Sequence, residues 1–140
     1  MQSFAVYPIG KVERKGERAF LQLEERYAPG LDGLQQFSHL IVLWWFDGCD
    51  NPQDRATVRQ IPHTGPKKER GTFSTRSPHR PNPIALSVVK VHAIDFASGR
   101  VEVDKIEAID GTPVLDIKPY SPKIDSVPDA QTPDWEHREE

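Results

Sequence analysis

Apolar and polar residues alternate along much of the chain, and that alternation predicts strands. Ile84–Phe96 is the clearest run, with Val89, Val91 and Ala93 in one phase and Val88, Ile94 and Phe96 in the other. Ala97-Ser98-Gly99-Arg100 follows as a turn into Val101–Ile109, so the two runs predict a hairpin. Val101 and Val103 are out of phase with Ile106 and Ala108, which a bulge near Asp104-Lys105 would reconcile. Asp110-Gly111 is a turn signal, and Pro113–Ile117 reads as the next strand. Upstream, Phe4–Glu13 reads as a first strand interrupted at Pro8, a residue suited to an edge or a bulge. Lys15–Arg18 is a polar turn, and Ala19–Leu23 a short strand with Leu21 and Leu23 on one side. Glu24–Leu34 reads as a loop or a single helical turn. His39–Phe46 (HLIVLWWF) is continuously apolar and predicts a central strand buried on both faces, ended by the polar run Asp47–Asp54. Arg55–Ile61 is predicted extended, His63–Glu69 a loop, and Thr72–Thr75 a short strand.

No internal repeat and no amphipathic helical period interrupts this pattern. The predicted class is mainly β, a single closed or strongly curved barrel over residues 1–120. From Lys118 the chain turns into an extended, proline-rich stretch whose residues 121–140 form an acidic tail, and Tyr120, Ile124, Val127 and Trp135 can anchor part of it against the body or a partner.

Composition modifies the picture in three ways. An apolar fraction of 36% with 13 prolines in 140 residues permits only a modest core, so burial against a second copy would help. The single cysteine, Cys49, excludes a disulfide framework and a thiolate metal cluster within one chain, and fits a reducing, cytoplasmic setting. The N-terminus lacks a signal-peptide pattern, and the longest apolar run, Leu40–Phe46, is too short to span a bilayer. The net charge of −3 is unevenly spread: Lys67, Lys68, Arg70, Arg76 and Arg80 face only Glu69 between them, a basic island suited to a polyanion.

That island runs into Gly71–Ser87, GTFSTRSPHRPNPIALS. Pro78, Pro81 and Pro83 each fix φ and remove a donor, and they push the preceding residues toward extended conformations. The segment is therefore a stiff hook from which Arg76, Ser77, His79, Arg80 and Asn82 project, and a stiff hook loses little freedom when it grips a polar ligand. Dinucleotide and P-loop glycine patterns are absent. The histidines have no ligand-like spacing, which argues against a zinc site. Ser77 lacks a nucleophile-elbow context. Cys49 lies beside Asp47 and Asp50, whose charge disfavours a thiolate. A second candidate is Asp110–Tyr120, where Asp116 and Lys118 share one strand face as an ion pair or as ligand-orienting groups.

FSHLIVLWWF, GTFSTRSPHRPNPIALS and DGTPVLDIKPY, in this order and separation, resemble the TsaA/TrmO-type family of S-adenosylmethionine-dependent tRNA methyltransferases, over Phe4 to about Trp135. The resemblance implies a non-Rossmann β-barrel that works as a homodimer, with the methyl donor near the subunit interface. The implied reaction is N6-methylation of the threonylcarbamoyl-modified adenosine beside the anticodon of a threonine tRNA. On that basis Arg76 pairs with the donor's carboxylate or with an RNA phosphate, and Ser77, Pro78, Asn82, Pro83 and Ile84 line the donor. Asp110, Gly111, Thr112 and Pro113 contribute to the same ligand. Asp116 orients an amine, Lys118 holds a phosphate, Tyr120 stacks on a base, and Lys67, Lys68, Arg70 and Arg80 bind RNA. No metal is implied. Two positions depart from the family pattern: Ala85 stands where glycine is usual, and Asp47 where histidine is frequent. The alternative is a non-catalytic barrel that binds RNA or an adenosyl ligand.

Overall fold

A computed structural model describes residues 1–63 and 65–137, His137 by its backbone alone. Thr64 of the predicted His63–Glu69 loop and residues 138–140 of the predicted tail lie outside the described residues. Numbered along the chain, the strands are β1 (Gly10–Lys15), β2 (Arg18–Leu23), β3 (His39–Trp45), β4 (Arg59–Gln60), β5 (Arg70–Gly71), β6 (Ile84–Asp95), β7 (Arg100–Val103) and β8 (Pro113–Pro119). Two helical turns are α1 (Pro52–Arg55) and α2 (Pro122–Asp125). The chain divides into two compact units: Met1–Trp45 with Ile84–Asp125, and Phe46–Pro83 with residues 126–140.

The first unit is a closed antiparallel barrel in the order β1-β2-β7-β6-β3-β8, with β8 returning to β1, so the predicted mainly β class and barrel closure hold. Inward side chains of alternating positions fill it: Val12, Leu21, Leu40, Val42, Val89, Val101, Val103 and Val114 are all essentially inaccessible. Closure removes the free edges an open sheet would expose. Trp44 Nε1 donates to Ser87 Oγ at 3.0 Å, and Ser87 Oγ donates to Glu107 Oε2 at 2.9 Å, so the buried indole is satisfied.

Several predicted elements need correction. The first strand begins at Gly10, not Phe4: Phe4, Val6 and Tyr7 are exposed and have no ladder partner. β3 is buried on one face only, with Leu40, Val42 and Trp44 inward and the residues between them half-buried, because a barrel strand has one interior face. The bulge sits at His92 of β6, not near Asp104-Lys105: Val91 pairs with Val103 but Ala93 with Glu102, which leaves Ala93 exposed. β7 ends at Val103, and Ile106 and Ala108 are buried from a loop whose carbonyls accept from Arg14 Nη1 at 2.6 and 2.9 Å.

In the second unit, Asn51 caps α1 by accepting from the Asp54 amide at 2.8 Å, which places Arg55 in a helical turn rather than in an extended run. Only Arg59–Gln60 of the predicted Arg55–Ile61 segment is strand. Thr72–Ser74 is a 3₁₀ turn, not a strand, because Ser74 Oγ and Thr75 Oγ1 donate to the carbonyls of Gly71 and Thr72 at 2.7 and 2.8 Å and offer the backbone a local alternative. No helix among the described residues is long and apolar enough to cross a membrane.

Candidate functional site

The hook Thr75–Pro83 belongs to the second unit, and its path is held by more than its prolines. Arg80 Nη1 donates to the carbonyls of Thr75 and Ser77 at 3.0 and 3.1 Å, tying the hook to itself. Gln60 Nε2 reaches the His79 carbonyl and Thr72 Oγ1, each at 2.9 Å. Arg55 Nε donates to the Pro81 carbonyl at 2.8 Å while its terminal nitrogens meet Asn82 Oδ1 at 3.2 Å and Asp50 Oδ1 at 3.0 Å. Arg76 is different: it is exposed, and among the described residues no hydrogen bond or ion pair occupies its guanidinium. A fixed backbone carrying one unpaired cation is suited to an anionic ligand group, because the backbone is ordered before binding.

His79 is clamped by Asp54, whose Oδ1 lies 2.8 Å from Nδ1. The Asn51 amide, first, and then His79 hold the Asp54 carboxyl below the usual aspartate range. Cys49 Sγ lies 3.9 Å from the same Nδ1. Burial pushes its thiol up, and the Asp54 charge adds to the shift, so the thiol stays protonated at neutral pH. The predicted suppression of the thiolate therefore has Asp54, not Asp47 or Asp50, as its charged cause. The ligand-type atoms of Cys49, Asp54 and His79 lie within 4.8 Å of one another. Sulfur and carboxylate address one nitrogen, so the imidazole does not relay a proton between them through its two ends.

The remaining candidates belong to the barrel unit. Ile84 opens β6 and is 42% exposed. Asp110–Pro113 is a tight turn in which Gly111 has φ +86°, a value that favours glycine. Its Gly111 amide donates to the Val12 carbonyl at 2.7 Å, its Thr112 carbonyl accepts from Val12 at 2.8 Å, and Asp110 Oδ1 accepts from the Arg14 amide at 2.8 Å. These polar groups are committed to β1, which narrows what the turn can offer a ligand. Asp116 and Lys118 form an ion pair at 3.1 Å, and the Tyr120 ring meets His39 edge-on at 6.5 Å. Asp116 and Ile117 also line a cavity of about 520 Å³ with Tyr27, Leu31 and Phe37, which no sequence signal marked.

Of the basic island, Lys67 and Lys68 are exposed. Arg80 is spent on the hook, and Arg70 is half-buried with its guanidinium 4.2 Å from the Trp135 ring. Sequence reasoning missed Arg55, Gln60 and Asp54 as the hook's braces. Their partners lie up to 27 residues away, and local pattern does not encode such separations. The departure at Ala85 costs no backbone strain: the residue is buried, and among the described residues no non-glycine residue has positive φ, so its backbone does not require glycine. Asp47 sits exposed in the turn Asp47–Cys49.

Known proteins align with most of this chain. The profile of the family described as tRNA-methyltransferase O N-terminal domain matches residues 2–126. An S-adenosyl-L-methionine-binding protein of Archaeoglobus fulgidus is 45% identical over 103 residues, covering 74% of this chain and 69% of that protein. A tRNA (adenine(37)-N6)-methyltransferase of Eikenella corrodens is 43% identical over 95 residues, covering 67% of this chain and 53% of that one. The crystal structure of TrmO from Pseudomonas aeruginosa superposes with a TM-score of 0.71 at 32% identity, over 93% of this chain and 62% of that chain. The chain thus spans less than two thirds of the solved TrmO chain. With the profile covering the barrel strands and the arginine hook alike, the chain belongs to the TrmO N-terminal domain family.

Proposed function

We propose that the protein is an S-adenosylmethionine-dependent methyltransferase acting on N6 of the threonylcarbamoyl-modified adenosine beside the anticodon of a tRNA. The observation that carries the reading is the braced hook with an unpaired Arg76 at its surface, in a chain whose Eikenella relative is named a tRNA (adenine(37)-N6)-methyltransferase. The donor supplies an activated methyl group on a sulfonium, and the transfer is an in-line displacement. The chain's part in it is alignment and exclusion of water. Arg76 offers a two-pronged cation to an anionic group, and Ser77, Pro78, Asn82 and Pro83 form the stiff surface beside it. Ile84 and Asp110–Pro113 remain donor candidates, Asp116, Lys118 and Tyr120 acceptor candidates, and Lys67 and Lys68 phosphate contacts. A second reading, binding of the methyl donor without transfer, is favoured by the name of the Archaeoglobus relative. Incubation with labelled methyl donor and total tRNA, followed by nucleoside analysis, separates the two. Label in a methylated threonylcarbamoyl-adenosine establishes transfer. Donor binding by calorimetry with no label in any nucleoside leaves only the second reading.

The working form is a homodimer in the cytoplasm. On the outer face of the barrel Ile41 pairs with Val88, Leu43 with Leu86 and Trp45 with Ile84, a continuous apolar patch on which Ile84, Leu86 and Val88 are 42%, 49% and 50% exposed. Such a patch suits a partner surface of the same kind. In sedimentation at micromolar concentration the protein runs as a dimer and Leu86→Glu as a monomer. A monomeric parent removes the dimer.

A further inference from the structure

The second unit holds a cavity of about 700 Å³, within the range of small-molecule sites, one wall of which is Phe73–Pro78, where the 3₁₀ turn runs into the hook, and the other the tail segment Thr132–Glu136. Two large rings line it. Phe73 is 78% exposed, although an apolar side chain of that size is usually buried. Trp135 is half-buried and built into its place: the Arg70 guanidinium stands 4.2 Å from the ring, and Gly65 lies close against the side chain. An added Cβ at Gly65 would come within 2.5 Å of Trp135 Cε3, and the glycine's φ of +78° favours no other residue. Arg70 Nε is buried without a hydrogen-bond partner among the described residues, so stacking on the indole is the compensation the structure supplies. Arg76 lines the same cavity with its cation unpaired. Two aromatic walls and a free guanidinium match a flat aromatic body joined to an anion, which is the chemistry of a nucleotide.

We propose that Trp135 and Phe73 form the walls of a nucleobase pocket beside Arg76, and that the C-terminal tail thereby supplies part of the RNA-binding surface, taking the acceptor adenine flipped from its loop. The inference rests on the RNA-adenosine substrate proposed above. Flipping costs a few kcal/mol of unstacking, and stacking on protein rings offsets it. Purified full-length protein is titrated with an anticodon stem–loop RNA carrying adenosine beside the anticodon, and separately with S-adenosylmethionine. Trp135→Ala and Phe73→Ala each weaken RNA binding by roughly 10- to 100-fold, leave donor affinity within about twofold, and Trp135→Phe restores most of the loss. Phe73 is exposed, so its variant folds even if Trp135→Ala does not, and it then decides the matter alone. Loss of donor affinity in place of RNA affinity makes the cavity a donor pocket and overturns the proposal, as does unchanged RNA binding. RNA binding that depends on Trp135 in a protein without methyl transfer leaves this pocket standing and removes the proposed activity instead.

Discussion

Arg76→Ala lowers methyl transfer to tRNA by about 100-fold or more, while the melting temperature moves by no more than about 2 °C. Both halves of the result follow from one contrast. Arg76 is exposed and touches no polar partner among the described residues, so its removal breaks nothing in the folded chain. The hook keeps its path through Arg55, Gln60, Asp54 and Arg80, none of which leans on Arg76. What disappears is a planar cation held on an ordered backbone, where small misplacements of a reacting group cost large factors in rate. Arg76→Lys retains the charge but not the fork, and falls between alanine and the parent. Turnover within about threefold of the parent at saturating tRNA takes the hook out of the reaction.

The second large effect concerns folding. Gly10→Ala destabilises the protein by about 3 kcal/mol, a sizeable share of the ~5–15 kcal/mol that holds a domain of this kind folded. Gly10 lies where the barrel closes, paired with Leu23 on one side and Val114 on the other. A Cβ there would overlap the Gln22 carbonyl oxygen and stand 2.8 Å from Leu23 Cα. Those are backbone atoms of a ladder closed around the whole circumference, so they cannot yield as the end of a flexible side chain would. Gly71→Ala is the control, since nothing lies within 4 Å of its added methyl. Urea unfolding measures the difference, and a Gly10→Ala midpoint equal to that of Gly71→Ala shows that closure has slack at this rung.

Sequence made β3, the β6–β7 hairpin and β8 legible because a continuous apolar run, alternation and turn chemistry all act over a few residues. Leu40, Val42 and Trp44 point inward as period two requires, and Gly99 turns the hairpin at φ +71°. The errors lie where long-range geometry overrides local preference. Phe4–Tyr7 is an apolar run that could serve as a strand, but no strand among the described residues pairs with its backbone. Ile106 and Ala108 have strand-like phase, yet Arg14, more than 90 residues away, takes their carbonyls and holds them in a loop. The bulge at His92 leaves no mark in the residue types around it. The same division applies to the hook. Prolines at positions 78, 81 and 83 announce its stiffness, but the braces that fix it come from α1 and β4, and a lone Gln60 or Arg55 carries no local sign of that duty. Arg80 shows the limit from the other side: counted with the basic island, it is consumed by the carbonyls beneath it.

Trp45 and Ile84 face each other across the β3–β6 ladder, so the long excursion from Phe46 to Pro83 departs from and rejoins adjacent rungs. Its two ends are pinned a strand spacing apart whatever lies between them, and lengthening such a span adds only a slow logarithmic entropy term. The excursion is thus a replaceable cassette. Insertions, deletions and new chemistry can accumulate in it while the barrel that carries it keeps its own register.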